Sequence, residues 1–91
     1  MADGIFRQKV LDIVYEIPKG ETLTYKEVAI RAGKPLAARA VGAIMRTNYN
    51  PDIPCHRVVK SDGSSGGYNR GQSLKIQRLI QEGVTLFTLR S

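Results

Sequence analysis

The single cysteine of this 91-residue chain, Cys55, excludes an intramolecular disulfide, so the domain must rest on a hydrophobic core. A chain of this length buries only roughly 60–65% of its unfolded surface, and the core is thin. One domain over residues 1–91 is expected, with any site built from the few elements sharing that core. With 42% hydrophobic and 24% charged residues, the chain is a small soluble domain rather than a disordered tail. Its 14 Lys and Arg against 8 Asp and Glu give a formal charge of +6, which favours a polyanion such as nucleic acid or an anionic membrane face. Charge kept for solubility is the plainer alternative. The N-terminus lacks the apolar stretch of a secretory signal, and runs such as Val41 to Met45 fall far short of the ~18 residues that cross a bilayer. A reducing compartment and no membrane span are expected.

Helical punctuation organises the first half. Asp3 reads as an N-cap for a first helix whose apolar residues Ile5, Phe6, Val10, Leu11, Ile13, Val14 and Ile17 recur at helical spacing until Pro18 and Gly20. Thr24 with Glu27 reads as a capping box for a second helix over Tyr25 to Ala32, closed by Gly33. Pro35 suits the first turn of a third helix running to about Arg46. Two short helices about a Gly-containing turn make a helix-turn-helix. Asn48 to Asp52 is turn chemistry, Ile53 to Val59 reads as a short strand, and Ser61 to Gly67 as a loop or hairpin tip. Ser73 is placed to cap a last helix through Gln81, ended by Gly83, with Leu74, Ile76, Leu79 and Ile80 as its buried stripe.

On the third helix Arg39 is neighboured by Leu36, Gly42, Ala43 and Arg46, so two arginines flank almost no side-chain volume. Such a face can approach DNA closely, with Lys26, Arg31 and Lys34 nearby for phosphate. Base reading in the major groove needs long polar side chains, and Ala37, Ala38, Ala40, Gly42 and Ala43 supply none. Sequence-specific repression is disfavoured. The plainer alternative is that small residues merely permit tight helix packing.

Pro54-Cys55-His56-Arg57 sets the only thiol beside the only imidazole. A thiol becomes a nucleophile when a neighbouring base or cation favours its thiolate. Adjacent residues on a strand point to opposite faces, so contact between them needs a turn after Pro54 or a bridging water. A lone buried Cys is more often an inert small hydrophobe. One Cys and one His complete no zinc site, and neither metal nor cofactor is expected.

The order Thr24-Tyr25, Ala38-Arg39-Ala40-Val41-Gly42, Ile53-Pro54-Cys55-His56-Arg57-Val58-Val59, Gly67-Tyr68 and Glu82-Gly83 resembles the C-terminal domain of the O6-alkylguanine-DNA alkyltransferases, from about Ile5 to Val84. The resemblance implies a mainly α, winged-helix-like helix-turn-helix domain of about four helices with a short strand or hairpin. It implies a monomer that binds double-stranded DNA carrying O6-alkylguanine, in the cytoplasm, at the nucleoid or in the nucleus according to the host. By the same resemblance Cys55 takes the alkyl group, His56 is its base through a water, and Glu82 orients that imidazole. Asn48 holds the turn around the site, and Tyr68 donates to guanine N3. Arg39 fills the stack after nucleotide flipping, Tyr25 helps rotate the phosphate, and Ala38, Gly42, Ala43 and Arg46 complete the DNA face. Met45, Val58 through its carbonyl, and Asn69 line the base pocket. Transfer from oxygen to sulfur leaves a thioether, a poor leaving group, so each molecule acts once.

Three features depart from the family pattern. Its usual N-terminal domain is not seen, the turn before Ile53 is shorter, and Asn69 stands where the family often has Ser. Lesion binding without transfer, as in the alkyltransferase-like proteins, is the second reading, although those proteins have another residue, usually Trp, in place of the Cys. A plain helix-turn-helix transcription factor explains neither the Cys-His segment nor Glu82.

Overall fold

A computed structural model describes residues 2–61 and 71–84. Helix α1, Ala2–Tyr15, carries Phe6, Val10 and Val14 four residues apart, and all three are buried, whereas Ile5 faces solvent. The helix begins ahead of Asp3, which lies in its first turn and not at the N-cap position. It also stops before Ile17, because Pro18 disfavours helical backbone at the residue preceding it. The Ile17 N–H donates to the Val14 carbonyl at 3.1 Å, a tightened final turn that tucks Ile17 into the core.

A two-residue strand that the apolar pattern does not reveal, β1, Leu23–Thr24, leads directly into α2, Tyr25–Arg31. Thr24 thus serves as strand residue and N-cap at once. Its hydroxyl accepts from the Glu27 N–H at 3.0 Å while the Glu27 carboxylate accepts from the Thr24 N–H at 2.8 Å, which completes the expected capping box. Gly33, at φ +89°, takes the left-handed position that ends this helix cheaply only for glycine.

Helix α3 spans Ala38–Thr47 and starts later than Pro35 suggested. The Ala37 N–H donates to the Lys34 carbonyl at 2.9 Å, so Pro35 occupies the second position of a tight turn, where its fixed φ is equally at home. Leu36 is left fully exposed at the tip of that turn. Val41 and Met45 turn inward and pack with Val28 and Ala29 of α2 and with Phe6, Val10 and Val14 of α1 in one core.

Ile53 to Val59 is not one strand. Pro54 has φ −79° and ψ 67°, the Arg57 N–H donates to the Pro54 carbonyl at 3.0 Å, and Cys55–Arg57 form a single 3-10 turn. Only β2, Val58–Val59, is extended, pairing parallel to β1 with Leu23 opposite Val58 and Thr24 opposite Val59. Helix α4, Gln72–Gln81, follows Gly71 at its N-cap, so Ser73 lies inside the helix and does not cap it. Gly83, at φ +82°, ends it as expected. No helix among the described residues is long and apolar enough to cross a membrane.

Candidate active site and nucleic-acid interface

The 3-10 turn after Pro54 decides the site. It removes the strand geometry that would send successive side chains to opposite faces, and both Cys55 and His56 are buried. Asn48, the C-cap of α3, reaches across seven residues to donate from Nδ2 to Cys55 Sγ at 3.0 Å. Its Oδ1 accepts from the Asn50 N–H at 3.4 Å, so one amide serves both the sulfur and the turn beside it. An N–H aimed at sulfur favours the thiolate over the thiol.

On the other side of the turn, His56 Nε2 lies 3.0 Å from Glu82 Oε2. Glu82 is the C-cap of α4, where its backbone closes the last turn while its carboxylate points back to the 3-10 turn. Hydrogen bonds from Arg57, first, and from His56 hold that carboxyl down at about 2, in spite of partial burial. Burial presses the His56 imidazole below its ordinary value, and the Glu82 hydrogen bond and charge only partly oppose it. The imidazole is therefore neutral near pH 7, and with Nε2–H given to Glu82, Nδ1 is the nitrogen with a lone pair. This is the protonation state a general base requires.

Lys75 escapes sequence reasoning. In place of the expected stripe, α4 buries Lys75 and Leu79 completely, while Ile80 is 56% exposed. The signal was its i, i+4 spacing to Leu79, which sets it on the apolar side of the helix, but a lysine is discounted there. What admits it is a partner: Nζ donates to the Val58 carbonyl at 2.6 Å and lies 3.4 Å from the Tyr25 hydroxyl. Burial lowers its pKa to about 8, and the nearby Cys55 charge acts in the opposite direction. Burial and Cys55 together raise the Tyr25 phenol. Tyr25, Lys75, Val58 and Cys55 thus form one electrostatic cluster joining α2, α4, β2 and the turn. Val58 keeps a second lone pair on its carbonyl, and Met45 packs in the core with Cys55. Tyr68 and Asn69 lie outside the described residues.

The exposed face of α3 carries Arg39, Ala40, Ala43 and Arg46, with Ala38 and Gly42 half-buried. Among the described residues, and apart from its own stretch of helix backbone, a methyl group on Gly42 would come no nearer than 3.8 Å to another atom, Arg46 Nη1, which is ordinary contact. Internal packing therefore does not require a glycine at position 42. The small residues of this face clear space outside the molecule. Beside the N-terminus of α3 an open groove of about 290 Å³ is lined by Tyr25, Lys26, Ala38, Lys60 and Ser61. Among the described residues no cluster of three or more His, Cys, Asp or Glu stands ready for a metal ion.

Comparison with known proteins agrees with this arrangement. Residues 5–84 match the family described as 6-O-methylguanine DNA methyltransferase, DNA binding domain. A methylated-DNA–protein-cysteine methyltransferase of Methanothermobacter thermautotrophicus is 51% identical over 81 residues, covering 89% of this chain and 46% of that protein. The human protein of that name is 45% identical over 82 residues, covering 89% of this chain and 40% of its own. The chain thus spans less than half the length of these relatives. Among solved structures, Mycobacterium tuberculosis OGT in complex with DNA superposes with a TM-score of 0.82 at 40% identity, covering 86% of this chain and 48% of that one. S. pombe Atl1, in complex with damaged DNA containing O6-carboxymethylguanine, gives 0.80 at 38% identity, covering 88% and 77%. A helix-rich, helix-turn-helix-like fold, a buried Cys beside a His–Glu pair and a cleared basic helix face accompany these matches, and the chain belongs to the 6-O-methylguanine DNA methyltransferase family.

Proposed function

We propose that this domain binds duplex DNA carrying O6-alkylguanine and transfers the alkyl group to Cys55 in a single turnover. The observation that carries the reading is the buried Cys55 sulfur, held by an N–H at 3.0 Å, followed in sequence by a neutral His56 that leans on Glu82 at 3.0 Å. His56 accepts the thiol proton through a water, Cys55 attacks the alkyl carbon, the carbon–O6 bond breaks, and the electron pair leaves on guanine. Lys75 favours the thiolate by its charge, and Tyr68 supplies a proton to guanine N3 so that the base departs neutral. No cofactor takes part.

The basic, small-residue face of α3 supports entry into the minor groove. A thiolate cannot reach a base inside the stack, so the nucleotide must rotate out, at a cost of a few kcal/mol in stacking. Arg39 offsets that loss by filling the space, and Tyr25, Ala38, Gly42, Ala43 and Arg46 contact the backbone around it. Met45 and Val58 line the pocket that receives the base. The protein acts as a monomer in the compartment that holds the host's DNA.

Lesion binding without transfer is favoured by one observation, the likeness to Atl1 over 77% of that chain. Intact-mass measurement after incubation with an O6-methylguanine duplex separates the two. The expected result is a gain of one methyl group on Cys55, absent in Cys55→Ala. An unchanged mass while the duplex is demonstrably bound overturns transfer.

A further inference from the structure

Arg57 grips both oxygens of Glu82, Nε donating to Oε1 at 2.9 Å and Nη2 to Oε2 at 2.6 Å. Its third nitrogen, Nη1, donates to the Ile17 carbonyl at 2.8 Å, just beyond the end of α1. Oε2 is thus shared, since His56 Nε2 lies 3.0 Å from the same atom. A carboxylate facing a histidine alone favours the imidazolium, which has no lone pair with which to take a proton. Here the Arg57 guanidinium already matches the carboxylate. The fork shape matters, because a lysine could not hold both oxygens and the distant carbonyl together.

We infer that Arg57 is a positioning residue that keeps the His56–Glu82 pair as neutral imidazole and carboxylate, by bridging Glu82 to the Ile17 carbonyl beyond α1. Other groups that face His56 agree with this division. Glu82 and Arg78 come from α4, Arg57 from its own turn, and Tyr15 and Asp52 line with His56 the same cleft of about 410 Å³. Burial and the charges of Arg57 and Arg78 act against protonation of the ring, and Glu82 acts for it. The inference deepens the transfer reading, yet the protonation state can be measured without any transfer.

The chain has one histidine, so its ring protons titrate unambiguously in the proton NMR spectrum. In the wild-type protein the midpoint should lie below that of a free histidine, and a midpoint at or above that of a free histidine overturns the inference. Arg57→Met should raise the midpoint by about one pH unit, Arg57→Lys by less, and Glu82→Gln added to Arg57→Met should bring it back. An unmoved or lowered midpoint in the folded variant overturns it. If Arg57→Met does not fold, Arg57→Lys and the wild-type value decide. In single-turnover methyl transfer the acid limb of the pH–rate profile should move up with the NMR midpoint. A uniform loss of rate with an unmoved limb would mean that Arg57 only braces the fold. A chain that never takes the methyl group defeats the transfer reading and leaves the NMR result standing.

Discussion

Asn48 Nδ2 donates to Cys55 Sγ at 3.0 Å, joining the last residue of the α3 cap to the sulfur at the start of the 3-10 turn. The helix that presents the basic face therefore also steadies the Cys55 sulfur. Hydrogen bonds to a charged acceptor contribute about 1.5–3 kcal/mol, so Asn48→Ala should slow alkylation of Cys55 by a small iodoacetamide reagent about tenfold or more at pH 7. Asn48→Asp should slow it further, since a carboxylate repels the thiolate. Equal labelling rates in the variants and the wild type would show that the amide only shapes the turn.

Glu82 makes stability depend on acid. Its carboxyl is held at about 2 in the folded chain against an ordinary 4.5, so the native state binds fewer protons than the unfolded one between those values. The stabilisation is complete above pH 4.5 and is lost as pH falls toward about 2. After discounting for residual access to water it amounts to about 1–2 kcal/mol. Denaturant midpoints at pH 7, 4 and 3 should fall more steeply for the wild type than for Glu82→Gln. Parallel curves would remove Glu82 from the acid response.

Much of this architecture is legible in the residues, and what is not legible fails for definite reasons. The capping box at Thr24 and Glu27 and the glycine ends at Gly33 and Gly83 are local chemistry, and each stands where the sequence puts it. The strand Leu23–Thr24 and the breaking of Ile53 to Val59 into turn and strand depend on a parallel pairing across the chain, which no short window encodes. Cys55, His56 and Glu82 were recognisable as a set, and the structure brings the His and Glu within 3.0 Å. Arg57 hid inside the motif that made its neighbours conspicuous. Lys75 hid because a buried lysine contradicts binary patterning, and its bonds to the Val58 carbonyl and the Tyr25 hydroxyl explain it.

Lys75 should separate stability from activity. Its pKa falls from 10.5 to about 8 on folding, so the buried charge costs stability, in full below about pH 8 and not at all above 10.5. Lys75→Met keeps the packing and removes that cost, while leaving the Val58 carbonyl one donor short. The expected outcome is a melting temperature at pH 7 equal to or above that of the wild type, with methyl transfer at least tenfold slower. The stability advantage of the variant should shrink as pH rises from 8 toward 10.5. A strongly destabilised variant would make Lys75 a structural residue instead.

Gly42 and Arg39 test the DNA face from opposite sides. Because, apart from its own stretch of helix backbone, a methyl group on Gly42 meets nothing closer than 3.8 Å among the described residues, Gly42→Ala should raise helix stability by about 0.5–1 kcal/mol, as glycine costs roughly that much in a helix interior. The same methyl group projects into the space a groove wall would occupy, so affinity for duplex DNA should fall. Arg39→Ala should slow methyl transfer from a duplex far more than transfer from free O6-alkylated guanine, which needs no flipping. Arg46→Ala, on the same exposed face, controls for the lost cation, and both variants should reduce the salt dependence of binding. Equal defects in the two arginine variants, or an Arg39→Ala protein equally impaired on the free base, would reduce Arg39 to one more phosphate contact. A Gly42→Ala protein that gains stability and keeps full affinity would place the duplex on another face.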